Sequence, residues 1–474
     1  MRNKLIVGFL AVLVVLSSTS CKKWLDVQPR TKIKSDVLLQ TEQGYRDALI
    51  GCYTLMKSQS LYGRELTFGF MDAVAAQYDV FNNKTYNSVS QFRYTTDANV
   101  RTQIDNMWLR MYNVVANVNN ILDHIDQDKA IFTGSNYDII KGEALALRAF
   151  IHFDLLRLFA SVDLTKPAIP YVKTLSTQVV SSSTGDEVVS LVLQDLEAAA
   201  ARLNADPIRQ GNKLVYGADE FMNNRHQRLN YFAVKALAAR AYLWKGDKIK
   251  ALENAMEVIN VADQVFPWIK TSNISATNDK DKDFTFSTEN IFALNVYDIR
   301  TIANAWFISA FPDVQLQRSS FNYEQMFEKT TVGANDYRLL FTSKLVGSNY
   351  IVYKYYQPDN YTASYASMIP LMRRSEMNYI AAECNVGVNN QKAIDFLNTV
   401  RANRGITTPL ASTLTDAQIT AEILKEYRKE FQGEGQLFHY CKRTKQAKFP
   451  AAFTTLTDVH YVLPKPTNEI EFGG

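Results

Sequence analysis

The stretch "KGEALALRAFIHFDLLRLFA", residues 141–160, limits the possible folds more than any other part of the chain. It reads as one helix that is apolar nearly all round. A helix without a polar face must be enclosed by other elements, so the stretch predicts a buried central helix in a mainly α fold. Its few polar residues are spaced to satisfy one another. Asp154 and Arg157 lie three apart and can pair, while Arg148 and His152 lie four apart on one side. Pro167 and Pro170 end the unit.

The remaining helices are amphipathic and fit around such a core. In 103–125, residues Ile104, Met107, Trp108, Met111, Val114, Val118, Ile121, Leu122 and Ile125 follow a helical rhythm without a break. A helix is expected from Ser35, with Asp36 as cap and Val37, Leu38, Tyr45, Leu49 and Tyr53 on its apolar face. Residues 229–260 read as two helices about a Gly246-Asp247 turn. Ala239, Tyr242, Ala251, Ala255 and Val258 there have tetratricopeptide spacing, where small residues let the two helices close. A second such pair falls at 377–403, and 186–203 fits the same architecture. Thr415 and Gln418 form a capping box ahead of Ile419, Ile423, Leu424, Tyr427 and Phe431. Two regions break the pattern. Residues 78–99 are a long polar loop threaded with aromatic rings. Residues 265–370 lose helical periodicity and read as loops with a few short strands, with regular helix returning at Leu371. Loops of that length in a compact chain are commonly functional.

The N-terminus sets the compartment. Arg2 and Lys4 precede an apolar run from Leu5 to Leu16, interrupted only by Gly8, and then Ser17, Ser18, Thr19, Ser20 and Cys21. Twelve helical residues cover about 18 Å, short of a hydrocarbon core of about 30 Å. The order basic, apolar, small is that of a secretory signal peptide, here residues 1–20. Small residues directly before Cys21 resemble a bacterial lipobox, whose cysteine is acylated and becomes the first mature residue. Two or more acyl chains suffice to anchor a protein to a membrane. Residues 21–34 then form a basic tether. The chain carries a formal charge of +4, to which Arg2 and Lys4 contribute, and its charges are interspersed, which excludes nucleic acid as the expected partner. Cys52, Cys384 and Cys441 are too few and scattered for a disulfide framework and read as buried thiols.

The chain carries few signs of catalytic chemistry. The five histidines (124, 152, 226, 439, 460) are far apart and form no metal-ligand spacing, so no metal or cofactor is expected. His152, inside the apolar helix, reads as a satisfied structural histidine. No GxSxG, Walker or GxGxxG motif is present. Glu430 and Glu434 read as acids near a helix end in preference to a glycosidase pair. Gly433-Glu434-Gly435 reads as a flexible break. Aromatic residues make up 12% of the chain, and a secreted, aromatic-rich chain without catalytic motifs points to binding, not catalysis.

Several segments, in order along the chain, resemble one family. "CKKWLDVQP" is similar to the mature start of SusD-like (RagB/SusD) lipoproteins of Bacteroidetes. "MWLRMYNVVANVNNIL", "GEALALRAFIHFDLLRLFA", "AARAYLWKGDKIKAL", "MIPLMRRSEMNYIAAE", "AIDFLNTVRANRGI" and "YVLPKPTNEI" resemble later segments of the same family. The resemblance implies a single domain over 35–474, with a helical scaffold at 35–264 and 371–474. It also implies a loop-rich ligand side at about 265–370, with a further ligand-side loop at about 78–99. It implies residence in the outer membrane, lipid-anchored and facing the exterior, and docking on a SusC-like TonB-dependent transporter to which captured oligosaccharides, or peptides, are delivered.

No ligand-binding residue of the family carries over position by position, so candidates come from chemistry. Sugars stack on aromatic rings and hydrogen-bond to Asn, Asp, Arg and Tyr. Two stretches offer both: Tyr78, Phe81, Asn82, Tyr86 and Tyr94 from the first loop, and Trp306, Arg318 and Tyr323 from "WFISAFPDVQLQRSSFNY". The alternative for each ring is that it packs its loop onto the scaffold. A third, weaker run is Tyr353, Tyr355, Tyr356, Tyr361 and Tyr365. A cell-surface hydrolase and a helical-repeat scaffold binding only proteins are the competing functional classes.

Overall fold

The computed structural model describes residues 35–472 apart from 177, 212, 215, 216, 218, 364, 451 and 453. Cys21, the signal segment 1–20 and the tether 21–34 lie outside the described residues. Among the described residues no helix is long and apolar enough to cross a membrane.

The fold is mainly helical. The helices of eight or more residues are α1 (Glu42–Met56), α2 (Ala98–His124), α3 (Asn136–Phe159), α4 (Gly185–Arg202), α5 (Tyr231–Lys245), α6 (Lys248–Val265), α7 (Ile299–Phe307), α8 (Arg374–Asn385), α9 (Asn390–Ala402), α10 (Asp416–Glu430) and α11 (Gln436–Arg443). Five short strands accompany them: β1 (Asn290–Asn295), β2 (Gln317–Ser319), β3 (Ser343–Val346), β4 (Asn349–Val352) and β5 (Met368–Arg373).

The apolar stretch at 141–160 lies within α3, which is buried from Gly142 to its last residue. It packs along α2 and α4 and touches α1 and α5, as an apolar helix demands. Its polar residues are all accounted for. Asp154 pairs with Arg157 and accepts from the Tyr62 hydroxyl at 2.7 Å. The Arg148 guanidinium forks onto Asp195 at 2.7 and 2.8 Å. His152 Nδ1 donates to the Arg148 carbonyl at 2.9 Å and Nε2 accepts from the Val172 amide at 3.0 Å. Those partners assign the neutral tautomer, and burial pushes this imidazole down to about 4. It is a structural histidine.

The helix pairs α5–α6 and α8–α9 pack as hairpins, and α6 also packs on α8. Gly246, at φ +87°, closes the first turn, and its amide and that of Asp247 return to the Leu243 and Tyr242 carbonyls. Ala251, Ala255 and Val258 are fully buried, as the tetratricopeptide spacing requires. The capping box at Thr415 and Gln418 forms at the start of α10. Cys52, Cys384 and Cys441 are free and buried, and burial pushes the first two thiols up to about 12.

Three expectations are corrected. No continuous helix runs from Ser35: a single turn (Ser35–Leu38) is followed by a break, and α1 starts afresh with Thr41 accepting from the Gly44 amide at 3.1 Å. The chain folds so tightly there that a β-carbon on Gly44 would stand 1.6 Å from the Leu38 carbonyl oxygen. Helix does not return at Leu371 but at Arg374. The segment instead forms β5, antiparallel to β1, with Pro370 opposite Ala293. Residues 265–370 also contain more helix than expected. In α7, Ile299, Ile302, Ala303 and Phe307 form a buried stripe, short enough to be masked by the polar residues around it. The strands β2, β4 and β3 form a second antiparallel sheet in that order.

Candidate functional site

The two stretches singled out from sequence come together, although more than two hundred residues separate them. Between the short helix Phe70–Val74 and α2, the first loop runs alongside the segment from Phe311 to Ser319. The Asp79 amide donates to the Gln317 carbonyl (2.8 Å) and the Lys84 amide to the Asp313 carbonyl (2.9 Å). Asn83 donates its side-chain amide to the Val314 carbonyl (2.8 Å), and the Ser319 amide donates to Asp79 Oδ2 (2.8 Å). Arg318 Nη1 donates to the Ala76 carbonyl at 2.7 Å, and Lys84 pairs with Asp313 at 2.5 Å. The first loop ends earlier than expected, since Asp97 caps α2 from Ala98, and it holds a helical turn at Asn87–Ser90.

Within this joint the candidates divide sharply. Tyr86 is fully buried; its hydroxyl donates to Glu65 Oε2 at 3.0 Å and its ring lies 5.2 Å from that of Trp306. Tyr78 is buried beside Phe307 and reaches Asp72 Oδ2 at 3.3 Å. Tyr94 is buried, its hydroxyl donating to the His460 carbonyl at 2.9 Å. Tyr323 stacks on Tyr350 at 4.7 Å and donates to Gln432 Oε1 at 2.5 Å. Arg318 is 2% exposed. Burial pushes the phenols of Tyr78 and Tyr86 well up, with Asp72 and Glu65 adding to it. These five side chains pack the joint and present no free face.

Phe81 and Asn82 stand at the surface, Phe81 at 80% exposure. Trp306 is half-buried, on α7 instead of the expected loop, with the Arg64 guanidinium 5.0 Å from its ring. Tyr323 and Arg318 likewise lie on a short helix (Ser320–Met326) and on β2. Two residues escaped the sequence reading. Asn83, not Asn82, is the organising asparagine: its Oδ1 also accepts from the Thr85 and Tyr86 amides at 3.0 and 2.9 Å. Phe311, at 68% exposure, offers a second open ring, on the other of the two joined segments. Its signal was Pro312-Asp313 directly after it, a turn pair that leaves the preceding ring outside.

Glu430 and Glu434 are not placed for hydrolysis. Glu430 is gripped by Arg373 (2.6 Å), Arg404 (2.6 Å) and Arg338 (3.1 Å), and Glu434 by Lys354 (2.6 Å) and Arg373 (2.9 Å), all buried. The neighbouring glycines are not a loose break. Gly433 and Gly435 adopt φ of +86° and +71°, and their amides donate to the buried carboxylate of Asp72 at 2.5 and 3.0 Å. A β-carbon on Gly435 would stand 2.5 Å from the Leu66 carbonyl oxygen. Gly435→Ala is therefore expected to cost about 1–3 kcal/mol, read as a lowered midpoint in urea unfolding.

A groove of about 670 Å³ lies away from this joint, between α2, the segment near Pro170 and Thr467–Glu469, with Trp108, Leu109 and Tyr112 among its walls. Among the described residues no cluster of His, Cys, Asp or Glu is placed to hold a metal ion.

A family model of the SusD-like group, described as starch-binding and associating with the outer membrane, matches residues 23–243, and a SusD family model matches residues 284–471. The chain belongs to the SusD-like family. A SusD-like protein P25 of Formosa agariphila is 25% identical over 258 residues, covering 52% of this chain and 45% of that protein. The chain thus matches under half the length of that curated relative. Among solved structures, a SusD-like carbohydrate binding protein of Bacteroides vulgatus superposes with a TM-score of 0.70 at 19% identity, over 91% of this chain and 96% of the other. A SusD superfamily protein of Bacteroides thetaiotaomicron gives 0.68 at 20% identity, over 91% and 98%. At those identities they establish the SusD-like fold.

Proposed function

We propose that this SusD-like chain is a non-catalytic nutrient-capture lipoprotein. It is anchored through Cys21 to the outer membrane, faces the exterior, binds oligosaccharides and passes them to a SusC-like TonB-dependent transporter. The observation that carries the reading is the match of residues 23–243 to a model described as starch-binding and associating with the outer membrane. The Bacteroides vulgatus neighbour, named for carbohydrate binding, supports it. A hydrolase is disfavoured because the buried acids considered for it are held by arginines and a lysine instead of facing a cleft. The ligand surface in this reading is the outer face of the hydrogen-bonded joint, where Phe81, Asn82, Phe311 and the edge of Trp306 combine open rings with an amide. The remaining rings hold that face rigid.

Phe81→Ala is expected to weaken glycan binding about ten-fold or more, since stacking on an exposed ring supplies on the order of 1–3 kcal/mol. Being a surface change, it should leave the unfolding midpoint within about 0.5 kcal/mol of wild type. Calorimetry with the glycan selected by an array screen reads the first and urea unfolding the second. Unaltered affinity in Phe81→Ala and Phe311→Ala alike would remove this surface from the reading. Release of reducing ends by the purified protein would replace capture with hydrolysis.

A further inference from the structure

The groove beside α2 leaves apolar side chains uncovered. Leu109 on α2, with Val179 and Val180 on the segment after Pro170, line it and stand exposed. Exposed branched side chains gathered in one concavity mark a docking surface. Two acids also line the groove. Asp105 accepts from Arg101 Nε at 3.1 Å. Glu469, on the short helix Thr467–Phe472, makes no side-chain hydrogen bond or ion pair among the described residues, and its Oε1 is buried. Burial pushes this carboxyl up, and Lys465 offsets only part of the effect. An apolar concavity edged by an unanswered carboxylate fits a segment that carries apolar side chains next to a cation.

The chain holds such a segment ahead of Ser35. Residues 21–34, "CKKWLDVQPRTKIK", set five basic residues against the single acid Asp26, and Trp24 and Leu25 follow directly on Lys22 and Lys23. The segment is also long enough. Glu42, at the start of α1, accepts from the Thr133 amide at 2.6 Å and from the Asn136 side chain at 2.7 Å, which puts the beginning of the described chain at the head of α3. The groove lies near the tail of the same helix, where the Trp108 ring meets Phe159 at 4.9 Å and Tyr112 meets His152 at 6.1 Å. About twenty helical residues separate the two ends by about 30 Å. The ten residues from Leu25 to Ser35 span about 33–36 Å when extended.

We propose that the groove between α2 and the Thr467–Phe472 helix is the docking site of the chain's own N-terminal tether, with Trp24 and Leu25 seated against Leu109, Val179 and Val180 and the adjacent lysines answering Glu469. Apolar burial supplies the hold, and the carboxylate sets the direction in which the tether lies. One consequence rests on the lipoprotein reading above. With the lipid on Cys21, only Lys22 and Lys23 separate the anchor from the docked residues, so the body is held close to the membrane in one orientation.

The test is disulfide formation within the full chain carrying Cys21→Ser, whose other native thiols, Cys52, Cys384 and Cys441, are buried. Val27→Cys is paired either with Gln178→Cys, on the groove wall, or with Ile249→Cys, exposed at the start of α6 and no part of that wall. Under mild oxidation the groove pair should link within one molecule about ten-fold faster or more than the α6 pair, because docking raises the effective concentration. Glu469→Gln, which breaks no contact within the fold, should lower that ratio about two- to five-fold. Trp24→Ala together with Leu25→Ala should bring it to about one. Equal rates for the two pairs overturn the proposal. A disulfide found only between two molecules also overturns it and gives the groove to a second copy. Equal rates together with a glycan that binds wild type but not Leu109→Asp give the groove to the saccharide. The disulfide readout needs neither lipid nor glycan, so its failure leaves the capture reading standing, and failure of capture leaves the docking standing.

Discussion

Glu430→Ala is expected to destabilise the protein by about 3–5 kcal/mol, enough to leave much of it unfolded at 37 °C. The reason lies in what the carboxylate holds. Glu430 ends α10 with no exposure of its side chain, and three guanidiniums converge on it: Arg373 from β5, Arg404 from just beyond α9, and Arg338 from the short helix Tyr337–Phe341. Arg404 also takes Glu289 at 2.6 Å, Arg338 takes Asp336 at 2.7 Å and Glu426 at 2.8 Å, and Arg373 takes Glu434. Removing one acid therefore leaves several buried cations short of charge, and no solvent reaches them. Glu430→Gln should recover little of the loss, because its amide places an N–H among donors. Glu422→Ala, on the same helix but in a surface pair with Lys425, should stay within about 1 kcal/mol of wild type. Urea unfolding of the three variants decides the matter. A loss below about 1 kcal/mol in Glu430→Ala would mean that the network relaxes around the gap.

The same network responds to acid. The surrounding arginines hold Glu430 well below the usual carboxylate range and bring Glu426 to about 2, against the opposing effect of burial. Both folded values lie below the unfolded value near 4.5. Their contribution is thus complete above about pH 4.5 and is lost as pH falls toward 2.

Much of this architecture was legible in the sequence because helical burial is periodic. The apolar surround of α3, the Asp154–Arg157 spacing and the small residues of α5 and α6 each follow from a fixed 3.6-residue repeat. The capping box at Thr415 needs only four residues. The joint between the first loop and the segment Phe311–Ser319 was legible only as composition. Tyr78, Tyr86 and Tyr94 alternate with polar residues in an irregular segment, and no period states which ring turns inward. Their direction is set by partners far away in sequence: Asp72, Glu65 and the His460 carbonyl. For the same reason Asn82 and Asn83 could not be told apart, since the distinction is an acceptor at Val314 on the other stretch. The acids and arginines of the C-terminal half posed the converse problem. Sequence places Glu430 and Glu434 near a helix end, where exposed acids are common, and gives no sign that Arg373, Arg338 and Arg404 converge there.

Relative to Asp72→Asn, wild type is expected to lose on the order of 4 kcal/mol of stability between pH 4 and pH 7. Asp72 is fully buried in the short helix Phe70–Val74, between the first loop and the Gly433–Gly435 turn. Burial pushes its carboxyl up to about 7, although the Gly433 and Gly435 amides, Lys354 and the Tyr78 hydroxyl all favour the ionised form. The sign follows from proton counts. In the unfolded chain this group ionises near 3.8, whereas in the folded chain it keeps its proton to about 7. Between those values the folded state binds the extra proton, so stability falls as pH rises, by about 1.4 kcal/mol per unit. The buried histidines impose an opposite slope over much of this range, His152 being pushed down to about 4 and His226 to about 3. They are common to both proteins, so the difference between wild type and Asp72→Asn isolates Asp72. Urea unfolding of the pair at half-unit steps from pH 4 to 8 provides the curve. Two parallel profiles would show that the glycine amides and Lys354 outweigh burial and keep Asp72 ionised throughout. A converging difference would make the clasp between the first loop and the helical scaffold tighter in mild acid than at neutral pH.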